Sequence, residues 1–136
     1  MHNDSLAADY LARARNRLAA VKVLMELESW ADVVRESQEI VEIALKALLR
    51  ARGVEVPRIH DVSGVLEEAK DLLPASVRSR VDELSQISRS LRRDRELAFY
   101  GSEDLTPSEF YKESDAKTAM SQASLVVRVV AEAFAS

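Results

Sequence analysis

Ser29 to Gly53 reads SWADVVRESQEIVEIALKALLRARG. Val34, Ile40, Val41, Ala44, Leu45, Leu48 and Leu49 recur at the spacing that lines one face of a helix. Ser29 with Asp32 three residues on resembles a capping box. Gly53 is well placed as the C′ residue, where a left-handed backbone closes a helix. The pattern predicts a helix over 30–52 with a wide apolar face. Gln38, Glu42 and Lys46 stand on the border of that face. Two readings are open for them. One is an ordinary Glu–Lys pair one turn apart, worth a few tenths of a kcal/mol. The other is a partly buried Glu42 that receives an arginine from another helix.

The same rhythm extends in both directions. Asp4 or Ser5 can cap a first helix running to Leu27, with Ala7, Tyr10, Leu11, Ala14, Leu18, Val21 and Leu24/Met25 on its inner side. Arg13, Arg15, Arg17 and Lys22 fall mainly on the other side and solvate it. After Gly53, Pro57 forces its predecessor out of the helical region, so Val54 to Ile59 is a link. His60 and Asp61 follow, and Asp61 or Ser63 can cap a short third helix carrying Val62, Val65, Leu66, Ala69, Leu72 and Leu73 inward. Pro74 stops it. A fourth helix is expected from Ser76 to Tyr100, with Val77, Val81, Leu84, Ile87 and Leu91 facing the core and Gly101 at its C′ position. Thr106-Pro107-Ser108-Glu109 is a strong start signal for the last helix: Thr as N-cap, Pro at N1, Glu at N3. Its apolar face holds Phe110, Ala116, Ala119, Met120, Ala123, Val126/Val127, Val130 and Phe134. Within it LVVRVV is apolar around most of its circumference, which suits either a central position or a dimer surface.

These elements predict one all-α domain over residues 1–136, an antiparallel up-and-down four-helix bundle with one additional short helix. Composition agrees: 47% apolar residues, three glycines and three prolines leave enough to bury and little to break helices. The chain contains no cysteine, which excludes disulfides and thiolate metal sites and fits a reducing cytoplasm. The start of the chain has no apolar stretch of secretory type, and no run approaches the ~20 apolar residues that span a bilayer. A formal charge of −4 argues against binding long nucleic acid over the whole surface.

A local basic patch remains, in Ser88 to Gly101, SRSLRRDRELAFYG, where four arginines meet two acids. At about 100° per residue, Arg93 lies about 40° from Arg89, with Glu96 and Tyr100 within about 20° of Arg89 on either side. Arg89, Arg93, Glu96 and Tyr100 thus share one stripe. Cations and a phenol on a single line can grip phosphate, and arginine's planar fork suits bidentate contacts. The same stripe can also be a solvated face whose cations suit the end of a helix dipole. His60, with His2 the only other histidine, is read as a hydrogen-bonded loop or cap residue. It cannot make a metal site with the Asp/Glu spacing present, so no metal and no cofactor are expected.

Taken in order, the alanine-rich first helix, Gln38, Glu42 and Lys46 within QEIVEIALKALL, the His60-Asp61 pair and SLRRDRELAFYG resemble the HEPN domain family over nearly the whole chain. The resemblance implies a helical homodimer. It also implies either a ribonuclease, often a toxin paired with a separately encoded minimal nucleotidyltransferase, or a non-catalytic module that binds nucleotide or RNA. It points to Arg93 and Tyr100 as catalytic positions, and to Arg89, Arg93, Glu96, Tyr100, Glu42, Lys46 and His60 as ligand contacts. Tyr100 could also be modified by nucleotide transfer in that setting. The family's ribonuclease motif is Arg-x4–6-His, extended in one subgroup to Arg-x4-His-x-Tyr. Aligned on Arg93, this chain keeps the arginine and Tyr100 but holds Ala98 in the histidine slot. Cleavage by the 2′-hydroxyl needs a proton acceptor and donor working near neutrality. Alanine is neither, and a phenol with its usual pKa near 10 replaces histidine poorly. The expectation is therefore a dimeric binding module lacking full catalysis. The alternatives are a metal-independent ribonuclease with a displaced base, and a purely structural dimer.

Overall fold

The computed structural model describes residues 2–56, 61–101 and 105–135, with the side chains of 2–4 and 94–99 outside that description. Among the described residues all regular structure is helical. The elements are α1 (His2–Glu26), α2 (Trp30–Ala51), α3 (Val62–Glu68) with a 3₁₀ turn (Lys70–Leu72), α4 (Ala75–Arg78), α5 (Val81–Tyr100), α6 (Pro107–Phe110) and α7 (Glu113–Ala135). No described helix is long and apolar enough to cross a membrane.

α2 is the hub. α1, α5 and α7 each pack along it, α3 covers α5, and α1 meets α7 more sparsely. The predicted stripe of α2 is buried throughout, and Ala31, Val33, Ser37, Gln38 and Ala47 are buried with it. Consecutive buried pairs such as Val33–Val34, and the run Ala47-Leu48-Leu49, mean that more than one side of α2 is covered. After exposed Asp32, its solvent edge narrows to partly exposed Arg35, Glu36, Glu39, Glu42, Ile43, Lys46 and Arg50.

Both ends of α2 are set by left-handed residues. Gly53 has φ +76°, and the bonds Gly53 N–H to Arg50 C=O (3.0 Å) and Val54 N–H to Leu49 C=O (2.9 Å) close a Schellman turn. The end of α1 uses the same bond pattern, Glu28 N–H to Met25 C=O and Ser29 N–H to Leu24 C=O, both 3.0 Å. Its left-handed residue is Glu28, with φ 59°. A side chain there costs about 1 kcal/mol, and no glycine advertises the turn. Ser29 does not cap α2 as expected. Its hydroxyl donates to Asp32 Oδ2 at 2.7 Å, and no backbone N–H of α2 reaches its side chain.

Three expected helices are interrupted. The third continues past α3 only as the 3₁₀ turn, and Leu72 points to solvent at 58% exposure instead of inward. The fourth breaks after α4 at Ser79–Arg80, where Arg80 N–H bonds to Val77 C=O at 2.8 Å before α5 begins. The last breaks at Tyr111, which is extended (φ −94°, ψ 139°) and buried. Swinging Tyr111 inward ends α6. Lys112 N–H then bonds to the Asp115 carboxylate at 2.9 Å, restarting the helix as α7.

A side chain in the hub should matter far more than an exposed leucine of equal size. Leu48→Ala is expected to cost about 2–5 kcal/mol, and Leu72→Ala about 0.5 kcal/mol or less. Urea unfolding followed by circular dichroism measures both. Equal losses would contradict a core centred on α2.

Candidate functional site

The helix that carries the arginines is continuous from Val81 to Tyr100, so the stripe read from the sequence lies along one line of α5. Its inner positions Leu84, Ile87 and Leu91 are buried against the hub. Gly101 ends the helix at φ +82°, and a Cβ there would lie 2.7 Å from the Leu105 carbonyl oxygen and 2.8 Å from Pro107 Cδ. Only glycine lets the chain turn this closely onto α6. That turn fixes where Tyr100 stands, 76% exposed at the end of the stripe.

Two arginines of α5 are held by acids on the α3 side. Arg89 Nη1 donates directly to Glu67. Arg92 Nη1 lies 3.6 Å from Asp61 Oδ1. Asp61 also caps α3, accepting from Ser63 N–H at 3.0 Å and from the Ser63 hydroxyl at 2.8 Å. The residue of the His60-Asp61 pair that the structure describes therefore joins α3 to α5. His60 lies outside the described residues, as does the Glu96 side chain. Both ion pairs are roughly half exposed, so each contributes ~0–1 kcal/mol, and the guanidinium groups keep open access to solvent. Arg93 is exposed on the same helix.

Glu42 and Lys46 form the ordinary one-turn pair at 3.3 Å, each about a quarter exposed. Gln38 Nε2 donates to Glu42 Oε2 at 3.1 Å, so the three residues form a chain along α2. No described hydrogen bond or ion pair links them to an arginine of another helix, nor to Arg89, Arg93 or Tyr100. The ligand set drawn from the resemblance thus divides into an α5 group and an α2 group. Among the described residues the buried polar side chains are Ser37 and Gln38 on α2, Ser63 on α3, and Ser85 and Ser88 on α5. Ser85 Oγ donates weakly to Ser63 C=O at 3.5 Å, and Gln38 Oε1 is buried with no hydrogen-bond donor among the described residues.

A cleft of about 150 Å³ opens where α2, α5 and α7 meet, lined by Val34, Ser90, Leu91, Tyr111, Asp115, Thr118, Ala119 and Gln122. Sequence reasoning missed it, because it needs three helices and the break at Tyr111. The only local signal was the spacing of Asp115, Thr118 and Gln122, which share one side of a helix. Among the described residues no group of three or more His, Asp or Glu side chains could hold a metal.

A model of the HEPN domain matches residues 7–133. The chain belongs to the HEPN domain family. This HEPN domain is 28% identical over 134 residues to the Methanocaldococcus jannaschii protein named "Putative toxin MJ1304", a match covering 94% of this chain and 88% of that protein. Its fold is similar to the crystal structure of TT1696 from Thermus thermophilus, with a TM-score of 0.65 over 93% of this chain and 97% of that one, at 24% identity. The HEPN match begins inside α1 and ends inside α7, so hub, arginine helix and cleft all lie within it.

The capping box that orients α6 beside this HEPN cleft gives a pH signature. Thr106 Oγ1 donates to Glu109 Oε1 at 2.8 Å and Thr106 N–H donates to the same oxygen at 3.1 Å. These bonds, the hydroxyl first, hold the Glu109 carboxyl below the ordinary carboxylate value. A lowered folded-state pKa means that the box stabilises fully above the unfolded-state value and loses that contribution as pH falls through the folded-state value. Thr106→Ala should move the Glu109 titration upward, toward that of a free glutamate, read by an NMR pH titration of its carboxyl carbon. An unchanged midpoint would contradict the assignment.

Proposed function

We propose that this HEPN domain is a dimeric, toxin-type module that binds the phosphates of a nucleotide or RNA along α5 and lacks full ribonuclease activity. The observation that carries the reading is the line of Arg89, Arg93 and Tyr100 on one helix. It gathers arginines on a chain whose net charge is −4, and both arginines are exposed. Arginine forks and a phenol hydroxyl match phosphate oxygens. The named toxin among its relatives supports a toxin-type setting. Ala98 in the histidine slot removes the group that would move protons during RNA cleavage. Glu96 and His60 are proposed as further ligand contacts, while Glu42 and Lys46, paired with each other along α2, are proposed to act on that helix.

The dimer is supported by an apolar groove between α1 and α7 lined by Ala8, Leu11, Ala12, Ala131 and Phe134. Arg15, Arg128 and Glu132 lie along its continuation, so it carries charges of both signs. A two-fold contact between like surfaces needs that kind of self-complementarity. In this reading the four long helices alternate in direction as an up-and-down bundle. The module works in the cytoplasm, beside a separately encoded nucleotidyltransferase for which exposed Tyr100 is an accessible acceptor.

Fluorescence anisotropy with a short single-stranded RNA, and incubation of the same RNA with EDTA, test this together. Arg93→Ala is expected to weaken binding about 10-fold and to reduce the salt dependence by about one unit of log–log slope. The RNA should stay intact throughout. Cleavage by the wild type that is lost in Arg93→Ala would make the protein a nuclease despite Ala98. Absence of binding would remove the phosphate reading.

A further inference from the structure

The cleft between α2, α5 and α7 has the make-up of a nucleobase site. Its floor is apolar and buried, formed by Val34, Leu91, Ala119 and Tyr111. The Tyr111 ring is fixed by edge-on packing with Phe110, at a centroid separation of 5.0 Å and an interplanar angle of 66°. Its rim is polar: Ser90 from α5, and Asp115, Thr118 and Gln122 from one side of α7. A planar ring with an apolar face and a hydrogen-bonding edge is complementary to such a floor and rim. The size is selective. At about 150 Å³ the cleft is half of the ~300 Å³ at which sites for whole small molecules begin, so it suits a ring system, with any attached sugar outside it.

Position ties the cleft to the arginine stripe. Ser90 on its rim is three residues from Arg93, or about 4.5 Å along the axis of α5. A base in the cleft would therefore lie within one helical turn of Arg93.

The rim also discriminates between bases. A carboxylate only accepts hydrogen bonds, and the bond from Lys112 N–H to Asp115 Oδ2 at 2.9 Å holds that carboxylate in place. An accepting group at the rim favours the base that presents two adjacent donors. That base is guanine, through N1–H and the exocyclic N2 amine, while the hydroxyls of Ser90 and Thr118 and the Gln122 amide can serve its acceptors.

We propose that this cleft binds guanine, reading its N1–H/N2 edge through Asp115, so that the domain prefers guanine nucleotides or guanine-bearing RNA. The proposal rests on the phosphate reading of α5 and extends it to a base.

Calorimetric titration of the full chain with GMP, IMP, AMP and ribose 5-phosphate tests it, with short RNAs carrying guanine or adenine at one position to separate free nucleotide from RNA. IMP lacks only the N2 amine, so GMP should bind about 10-fold more tightly than IMP, and AMP more weakly than GMP. Asp115→Asn keeps an oxygen for Lys112 N–H and so preserves the start of α7. It should bring GMP and IMP to equal affinity while ribose 5-phosphate is unaffected. Arg93→Ala should weaken all four ligands. If GMP, IMP and ribose 5-phosphate bind the wild type equally and all weaken in Arg93→Ala, the phosphate site stands and the guanine site is overturned. Failure of every probe to bind the wild type would overturn the phosphate reading and, with it, this extension. A guanine preference that survives Asp115→Asn would also overturn the assignment to this cleft. Preference seen only with the RNA probes would support the site and identify RNA as its source of guanine.

Discussion

Burial of α2 on several sides is the constraint on which the rest of the structure depends. A helix with consecutive buried residues such as Ala47, Leu48 and Leu49 cannot satisfy them with one neighbour. It must be enclosed by α1, α5 and α7 together, and that enclosure fixes how α5 is rotated. With Leu84, Ile87 and Leu91 committed to the core, helical geometry turns Arg89 and Arg93 outward. The proposed phosphate-binding face is thus a consequence of packing on the other side of the same helix. No separate element is needed to build it.

The acids around this face hold the helices in place without cancelling its charge. Glu67 and Asp61 draw α3 against α5, yet both pairs are solvent-screened and weak. Ion pairs of this kind can exchange protein carboxylates for ligand phosphates at little cost to the fold. A net charge of −4 keeps general attraction of polyanions low, so the cluster of Arg89, Arg92 and Arg93 acts as a local contact and not as part of a basic surface.

The long helices were legible in the sequence because their apolar spacing is simple and each buried stripe exceeds two turns. Gly53, Gly101, Asp61 and the Thr106–Glu109 box were legible because each carries a specific local chemistry that the structure uses. What escaped had no local marker. Glu28 adopts the left-handed turn that a glycine would have signalled. Tyr111 breaks the last helix because burying its ring outweighs helical continuity, a tertiary choice that periodicity does not report. Leu72 fitted an inward stripe only while the third helix was taken as regular, and the 3₁₀ turn rotates it outward. The Arg89–Tyr100 line could be read from one helix. The cleft could not, since its floor and rim come from three helices and a break.

The proposed ligand-bearing surface of this HEPN domain is α5. The most direct test is amide chemical-shift mapping of the isotope-labelled protein during titration with a short single-stranded RNA. The largest shifts are expected on α5 around Arg89, Ser90, Arg93 and Tyr100, while Glu42 and Lys46 on α2 and the α1/α7 groove stay unchanged. Shifts confined to the α1/α7 groove, or to α2 around Glu42 and Lys46 with α5 silent, would contradict it.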